Sequence, residues 1–295
     1  MDDTERATLP NFFVIGAQKG GTTSLYWYLA QHPEVFMSPI KEPGFFALAE
    51  DAPPSPTNPE KLRNWADYRA LFAGVTHETA IGEASTKYLF HRVVPEHLRT
   101  FVPDARLIAI LRDPADRAFS AYSMYVALGE EARSFAQVVD DELAGRRGSW
   151  RCLEMGRYGE QLQRYYRTFP AAQIQVHLFE DLARDTPGVV RRVYDFLGVD
   201  PEFVFDVERR NVSRYDARSP GVDRVLRQIP GRAVARRLVS PAAWERARRA
   251  FRRRASRAPE FPDEVRARLV EYYRDDIAVT EALIGRDLAK WTAER

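Results

Sequence analysis

The sequence predicts an α/β domain in which helices cover both faces of a central, mainly parallel β-sheet. Short apolar runs alternate along the chain with longer segments of helical periodicity, as in parallel sheets with crossover helices. Residues 107–111 (LIAIL) are apolar throughout, which is typical of a strand buried on both faces. A chain of 295 residues with 45% apolar residues can bury one large core. We therefore expect a single domain over residues 1–295, whose part 217–295 is arginine-rich and helical.

Apolar runs predict four strands, at residues 11–15, 79–83, 107–111 and 174–178. Helical spacing of the apolar residues predicts helices at 22–31, 60–72, 89–101, 114–128, 134–145, 157–168, 187–197 and 263–284. Asp113 is placed to cap the fourth helix, because Pro114 suits the first helical position. Gly198 is placed to end the seventh helix.

Several chemically distinctive residues fall where the predicted strands end. They are Gly16, Glu83, Arg112 and the loop after Leu178. Ligands of parallel α/β sheets bind beyond the carboxyl ends of the strands. We therefore expect these residues to line one ligand crevice.

The composition excludes several classes of protein. A single cysteine, Cys152, rules out an intramolecular disulfide and a cysteine-built zinc site, and the five histidines lack metal-ligand spacing. No apolar stretch approaches the ~18–20 residues of a membrane-spanning helix. The first residues lack the basic and apolar regions of a secretory signal. We predict a cytoplasmic protein without a metal, since a lone cysteine also favours a reducing compartment.

The net charge of +2 conceals a basic segment at residues 209–258. This segment contains 16 arginines against three acidic residues, a net charge of +13, so the rest of the chain is acidic. It is either a solvated helical face paired with acids elsewhere or a contact surface for an anionic acceptor or a membrane. Aromatic residues are not interleaved as in nucleic-acid modules, so no nucleic-acid partner is expected.

A glycine-rich loop at residues 16–24 (GAQKGGTTS) connects the first predicted strand to a helix. Such a loop lets backbone N–H groups surround a phosphate at a helix N-terminus. Thr22 occupies the position where an ATPase P-loop has its lysine, and Lys19 precedes it. Arg112 follows the strand 107–111, where a magnesium-binding aspartate would stand. The pattern predicts a phosphate-binding loop that needs no metal.

Two segments resemble the donor-binding motifs of sulfotransferases that use 3′-phosphoadenosine 5′-phosphosulfate. Residues 15–25 (IGAQKGGTTSL) resemble the 5′-phosphosulfate loop, and residues 111–122 (LRDPADRAFSAY) resemble the 3′-phosphate motif. The resemblance covers residues 11–216 and implies a three-layer, P-loop-like fold. It also implies a set of donor contacts: Gln18, Lys19, Gly20, Gly21, Thr22, Thr23, Ser24, Arg112, Ser120 and, by a weaker match without the usual glycine, Arg209 and Arg210.

The resemblance also suggests the reacting groups. Lys19 is suited to stabilise charge on the leaving phosphate. Glu42 lies in KEPGFF, which resembles a KE-x-x-FF stretch of heparan-sulfate and related bacterial sulfotransferases whose glutamate is taken as the base. Flanking Pro43 and phenylalanines should partly desolvate that carboxylate. Glu83 is the alternative base, because it is expected to follow a strand and open into the crevice.

The acceptor contacts are predicted less specifically, as Lys41, Phe45, Glu83, Lys87 and Tyr158. In the heparan-type enzymes a lysine commonly follows the acid that matches Glu83, whereas here Ala84 does and Lys87 would substitute. Tyr158 belongs to a segment that resembles a later region of these enzymes. His91 and His97 are expected to be structural.

The function predicted is transfer of a sulfuryl group from 3′-phosphoadenosine 5′-phosphosulfate to a hydroxyl or amine of a small-molecule or carbohydrate acceptor. The first alternative is a P-loop small-molecule kinase using ATP and magnesium, which Thr22 disfavours. The second is a non-catalytic nucleotide-binding or membrane-associated protein that uses residues 209–258 as its contact surface. The sequence leaves the acceptor and the oligomeric state open.

Overall fold

A computed structural model describes residues 9–47, 64–128, 130–146, 150–207 and 260–293. Five strands form one sheet in the order β2-β3-β1-β4-β5, and all four neighbouring pairs are parallel. The strands are β1 Phe12–Gly16, β2 Val35–Met37, β3 Ala80–Ala84, β4 Arg106–Leu111 and β5 Ile174–Leu178. The predicted α/β class with a parallel central sheet is confirmed.

The helices of the described residues are α1 Thr22–Leu29, α2 Trp65–Ala70, α3 Val94–Phe101, α4 Pro114–Ala127, α5 Phe135–Leu143, α6 Tyr158–Thr168, α7 Phe179–Arg184, α8 Thr186–Leu197, α9 Asp263–Ile284 and α10 Ala289–Thr292. Asp113 caps α4 by accepting hydrogen bonds from the N–H groups of Ala115 and Asp116, as predicted. Gly198 ends α8 in the left-handed conformation, also as predicted. None of these helices combines the length and the apolar composition that a membrane crossing requires.

Side chains of the central strands alternate between two cores, which explains their unbroken apolar sequence. Phe13 and Ile15 of β1 belong to a core shared with α2 to α6 and α9. Phe12 and Val14 belong to the opposite core, which is shared with α1, α7 and α8. The sheet is therefore the middle of three layers.

Three sequence predictions differ from the structure. The short edge strand β2 and the helix α7 were not predicted, because three and six residues are too few to establish a periodicity. The predicted helix at 89–101 begins only at Val94, since residues 85–93 form turns. The assignment of residues 1–295 to a single domain stays a prediction, although α9 packs closely against α6.

The order of the strands places a switch point at β1. The chain passes from β1 to β2 and β3 on one side, and then to β4 and β5 on the other. The crevice beyond the carboxyl ends of β1 and β4 is where such sheets bind ligands. The glycine loop follows β1 there, and Arg112 follows β4.

Candidate active site

The glycine loop is held close to β4 by its backbone. The N–H of Ala17 donates to the carbonyl oxygen of Ile110 over 2.9 Å. At Gly20 a Cβ atom would lie 2.2 Å from the same oxygen, so no other residue fits without moving the loop. Gly21 has φ +99°, in the left-handed region that favours glycine, and it leads directly into α1. The loop therefore directs the first N–H groups of α1 toward the crevice.

Lys19 lies in a concentration of positive charge. Burial is the main cause that lowers the pKa of its amino group, and Arg112, Arg117 and Lys41 lower it further. The carboxylate of Glu42 acts in the opposite direction. Cations that repel one another at the N-terminus of a helix form a site that an anion would stabilise.

Arg112 and Ser120 come from the predicted 3′-phosphate motif. Arg112 directly follows β4, and its guanidinium lies 4.9 Å from the ring centroid of Phe179, the first residue of α7. Both Arg112 and Ser120 are half-buried. The Phe179 ring contacts the guanidinium, whose planar donors suit a two-pronged contact with phosphate oxygens.

Arg117 adds a buried positive charge to this region. Its side chain is fully buried, and its Nη2 donates to the carbonyl oxygen of Cys152. Among the described residues, its Nε and Nη1 have no hydrogen-bond partner. The carboxylate of Glu142 interacts electrostatically with Arg117, but its oxygens accept hydrogen bonds from the N–H groups of Cys152 and Leu153. A buried guanidinium with open donors is suited to bind a further anion.

The long helix α9 braces the elements that carry these cations. Its Arg266 contacts Asp116 and lies 3.8 Å from Asp113, both at the N-terminus of α4. Its Asp276 accepts hydrogen bonds from the N–H groups of Gly159 and Glu160 over 2.9 and 3.0 Å, at the N-terminus of α6. The C-terminal helix thus fixes the elements on which Ser120 and Tyr158 lie.

Glu42 is held at three points beside this cluster. Its N–H donates to the carbonyl oxygen of Ala84 over 2.9 Å. Its Oε1 accepts from Lys41 Nζ and its Oε2 from Thr86 Oγ1, each over 2.9 Å. With 30% of its side chain exposed, the carboxylate remains accessible to a substrate.

The backbone conformations of the two predicted reacting residues are unusual. Among the described residues, only three that are not glycine have positive φ: Lys19 at 69°, Glu42 at 64° and Arg151 at 47°. This conformation costs free energy for residues with a Cβ and persists where the surrounding structure enforces it. Lys19 and Glu42 are thus both held in place against local preference.

The expected position of Glu83 is wrong. Strand β3 continues to Ala84, so Glu83 lies within the strand and does not open into the crevice. Its register pairs it with Phe13 of β1, and its side chain is fully buried. Burial raises the pKa of Glu83 to about 8, although the hydroxyls of Tyr88, Tyr68 and Ser85 oppose this shift. A buried group without solvent contact is poorly placed to accept a substrate proton.

The structure also locates the other predicted acceptor contacts. The half-buried Phe45 stacks on Tyr68 with ring centroids 4.5 Å apart. Tyr158 is buried, and its hydroxyl has no hydrogen-bond partner among the residues that the structure describes. Lys87 is half-buried in the turn after β3. Their roles, like those of the donor contacts, stay predictions.

The two histidines and the two late arginines of the sequence analysis have different outcomes. His97 is structural, as expected, because its Nδ1 donates to the carbonyl oxygen of Phe46 over 3.0 Å. Burial lowers the pKa of His91, which lies in a turn before α3. Arg209 and Arg210 lie outside the described residues, as does the whole of the basic segment 209–258.

Sequence reasoning missed three residues of the site. Thr86 donates a hydrogen bond to Glu42, the ring of Phe179 contacts the guanidinium of Arg112, and the charge of Arg117 lowers the pKa of Lys19. Phe179 could have been found, because it directly follows a predicted strand. Arg117 lies within the motif that contains Arg112, but the pattern does not show that its side chain is buried. The contact of Thr86 joins segments 44 residues apart and has no local signal.

The family model of the sulfotransferase family matches residues 10–203 of this chain. The match covers more than half of the chain and includes both donor motifs, the segment around Glu42 and the strands of the sheet. The chain therefore belongs to the sulfotransferase family, and the resemblance inferred from the two motifs is confirmed.

Individual relatives agree with this assignment. The crystal structure of a sulfotransferase from Alicyclobacillus acidocaldarius is 32% identical in sequence, with a TM-score of 0.72, covering 97% of this chain and 99% of that one. Heparan sulfate glucosamine 3-O-sulfotransferase 3A1 of Mus musculus is 29% identical over 232 residues, 76% of this chain and 56% of the relative. The human bifunctional heparan sulfate N-deacetylase/N-sulfotransferase 2 is 30% identical over 205 residues, 65% of this chain and 22% of that protein. The chain thus spans little more than half of the mouse protein and less of the human one.

Proposed function

We propose that the protein transfers a sulfuryl group from 3′-phosphoadenosine 5′-phosphosulfate to a hydroxyl or amine of an acceptor. The observation that supports this most strongly is the placement of Lys19 within a cationic cluster at the glycine loop, close enough to Glu42 for the two charges to interact. A phosphosulfate bound by the loop would lie between a cation for the leaving group and a base for the acceptor.

In the proposed reaction the acceptor attacks the sulfur atom of the donor. Glu42 takes the proton of the acceptor O–H or N–H while the new bond to sulfur forms. The bond between sulfur and the bridging oxygen breaks, and adenosine 3′,5′-bisphosphate leaves with the electron pair. Lys19 stabilises the charge that develops on this oxygen, and its lowered pKa makes it a better proton donor to it.

Arg112 and Ser120 would bind the 3′-phosphate. The half-buried guanidinium beside Phe179 would supply charge and planar donors, and the serine would supply a short donor. The open donors of Arg117 fit the same anionic ligand, either directly or through water. The kinase alternative is not favoured, because Thr22 occupies the P-loop lysine position and is buried.

For the acceptor we propose a carbohydrate or another small molecule. The names of the mouse and human relatives both refer to heparan sulfate, a carbohydrate. Lys41 and Lys87 could contact it, since both are half-buried on the segments around Glu42. We also propose a cytoplasmic location, because a sequence with a single cysteine favours a reducing compartment.

The donor half of the proposal is tested by thermal unfolding with adenosine 3′,5′-bisphosphate and without magnesium. A ligand at a hundredfold excess over its dissociation constant stabilises the native state by about 2.7 kcal/mol, so the melting temperature should rise. ATP with magnesium is the matched comparison for a kinase. Stabilisation by ATP and magnesium but not by the bisphosphate would refute the proposal.

A further inference from the structure

The short helix α7 packs against both halves of the predicted donor site. The ring centroid of its first residue, Phe179, lies 4.9 Å from the guanidinium carbon of Arg112. On the side of the glycine loop, a Cβ atom at Gly21 would lie 3.1 Å from the Phe179 ring and 3.1 Å from the side chain of Leu182. The position of α7 therefore affects the loop predicted to bind the 5′-phosphosulfate and the arginine predicted to bind the 3′-phosphate.

Two acidic residues in the first turn of α7 are bound by side chains from the C-terminal part of the chain. The largely buried Asp181 accepts hydrogen bonds from Arg286 Nη2 over 2.7 Å and from Arg184 Nη2 over 2.6 Å. Arg184 lies on α7 itself, whereas Arg286 ties Asp181 to another part of the fold. The neighbouring Glu180 accepts a hydrogen bond from the indole N–H of Trp291 over 3.2 Å.

The segment that carries Arg286 is itself well anchored. Leu288 and Trp291 are buried in the core that contains Tyr158, and the rings of Trp291 and Tyr158 lie 6.2 Å apart. The N–H of Leu288 donates to the carboxylate of Glu281 on α9 over 2.9 Å. Helix α7, by contrast, contributes to the core on the opposite face of the sheet. The contact of Arg286 with α7 therefore joins the two faces at the edge of the donor site.

We propose that Arg286 is a positioning residue of the donor site, which acts through Asp181 and holds α7 in place. It thereby maintains the contacts of Phe179 with Gly21 and Arg112. Hydrogen bonds to a phosphate weaken steeply when distances or angles change, so a small displacement of α7 should lower the affinity for the donor. The proposal rests on the function proposed above. Arg286 lies outside residues 10–203, which the family model matches.

The test compares Arg286→Ala with Arg268→Ala in equilibrium binding of adenosine 3′,5′-bisphosphate. The two arginine side chains are 46% and 40% exposed, and Arg268 binds Asp140 of α5 over 2.6 Å, so its loss leaves α7 untouched. Arg286→Ala should weaken binding by about 5-fold, the upper end for an ion pair near the surface. Arg268→Ala should leave the affinity unchanged. Arg286→Lys keeps the charge and should recover most of the loss.

A second background shows whether Arg286 acts through Phe179. In Phe179→Leu the ring that contacts Arg112 is already absent, so adding Arg286→Ala should cause no further loss of bisphosphate affinity. Such non-additivity is the mark of two residues that act on one element. An ion pair with a purely structural role would lower the melting temperature by similar amounts in both backgrounds and leave the affinity unchanged.

Two outcomes would overturn the proposal. One is an Arg286→Ala variant that binds the bisphosphate as tightly as wild type, and the other is an equal loss of affinity in the wild-type and Phe179→Leu backgrounds. If Arg286→Ala does not fold, Arg286→Gln replaces it and is judged in the same way. Failure of the wild-type protein to bind the bisphosphate would refute the proposed function instead, so the two failures are distinguishable.

Discussion

The two sides of the candidate active site are built in different ways. On the donor side, a glycine loop after β1 and the start of α4 after β4 each carry their cations, Lys19 on the first and Arg112 and Arg117 on the second. On the acceptor side, Glu42 is held by its neighbour Lys41 and by Ala84 and Thr86, which are more than 40 positions away. The donor side supplies charge, whereas the acceptor side supplies position. Substitutions on the two sides should therefore fail differently: the first should weaken donor binding and the second should slow turnover.

The largest effect is expected from Glu42→Gln. The substitution keeps the shape of the side chain and removes the proposed base, so kcat should fall by ~10²–10⁴-fold. Bisphosphate affinity should barely change, because this ligand has no acceptor proton to lose. Steady-state kinetics and equilibrium binding measure the two quantities.

Glu202→Gln is the control for Glu42→Gln, because it removes the same charge from a side chain that is 72% exposed. The control should leave kcat unchanged. Near-wild-type turnover of Glu42→Gln would show that Glu42 is not the base. Weakened bisphosphate binding would show that a substitution on the acceptor side also affects donor binding.

The second prediction concerns stability against pH and the buried Glu83. Its pKa is about 8 in the native protein and 4.5 in the unfolded chain, so the native state retains a proton that the unfolded chain releases. This contribution is fully present below pH 4.5 and is lost as the pH rises to about 8. The free energy of unfolding should fall by about 3 kcal/mol between pH 5 and pH 8 for this reason.

Glu83→Gln isolates this contribution, because it cannot titrate. The difference in free energy of unfolding between the variant and wild type, from urea titrations, should shift in favour of the variant from pH 5 to pH 8. Above pH 8 the difference should level off. A difference independent of pH would show that Glu83 is already ionised in the native protein at pH 5.

The contrast between the two sides also explains what the sequence could predict. The strands β1, β4 and β5 and the helices α4 and α9 were found because apolar periodicity, Asp113 and Pro114 are local signals. The loop 16–24 and Arg112 were found for the same reason. The support of the segment 42–46 by Thr86, Ser85 and Tyr88 could not be found, because it depends on contacts between distant segments. Glu83 was misplaced because its strand runs one residue further than its apolar residues indicate.

On the donor side, Arg112→Ala should weaken bisphosphate binding by about 1.5–3 kcal/mol, roughly 10- to 150-fold, because a charge-assisted contact is lost. Titration calorimetry with an analogue that lacks the 3′-phosphate should show almost no effect of the substitution. Arg274→Ala removes a charge from an exposed pair on α9 and is the control. If binding of the bisphosphate and binding of the analogue are weakened equally, Arg112 supports the fold and does not bind the 3′-phosphate.

The smallest effect should come from Thr86→Val, which tests whether position alone matters on the acceptor side. Valine keeps the volume of threonine and removes the hydroxyl that donates to Glu42 Oε2 over 2.9 Å. A hydrogen bond to a carboxylate of this exposure should contribute about 1 kcal/mol, so kcat should fall by roughly 5-fold with unchanged bisphosphate affinity. Thr100→Val, which removes an exposed hydroxyl on α3, should have no effect on kcat. If Thr86→Val matches wild type in kcat, Lys41 and the Ala84 carbonyl position Glu42 without the threonine.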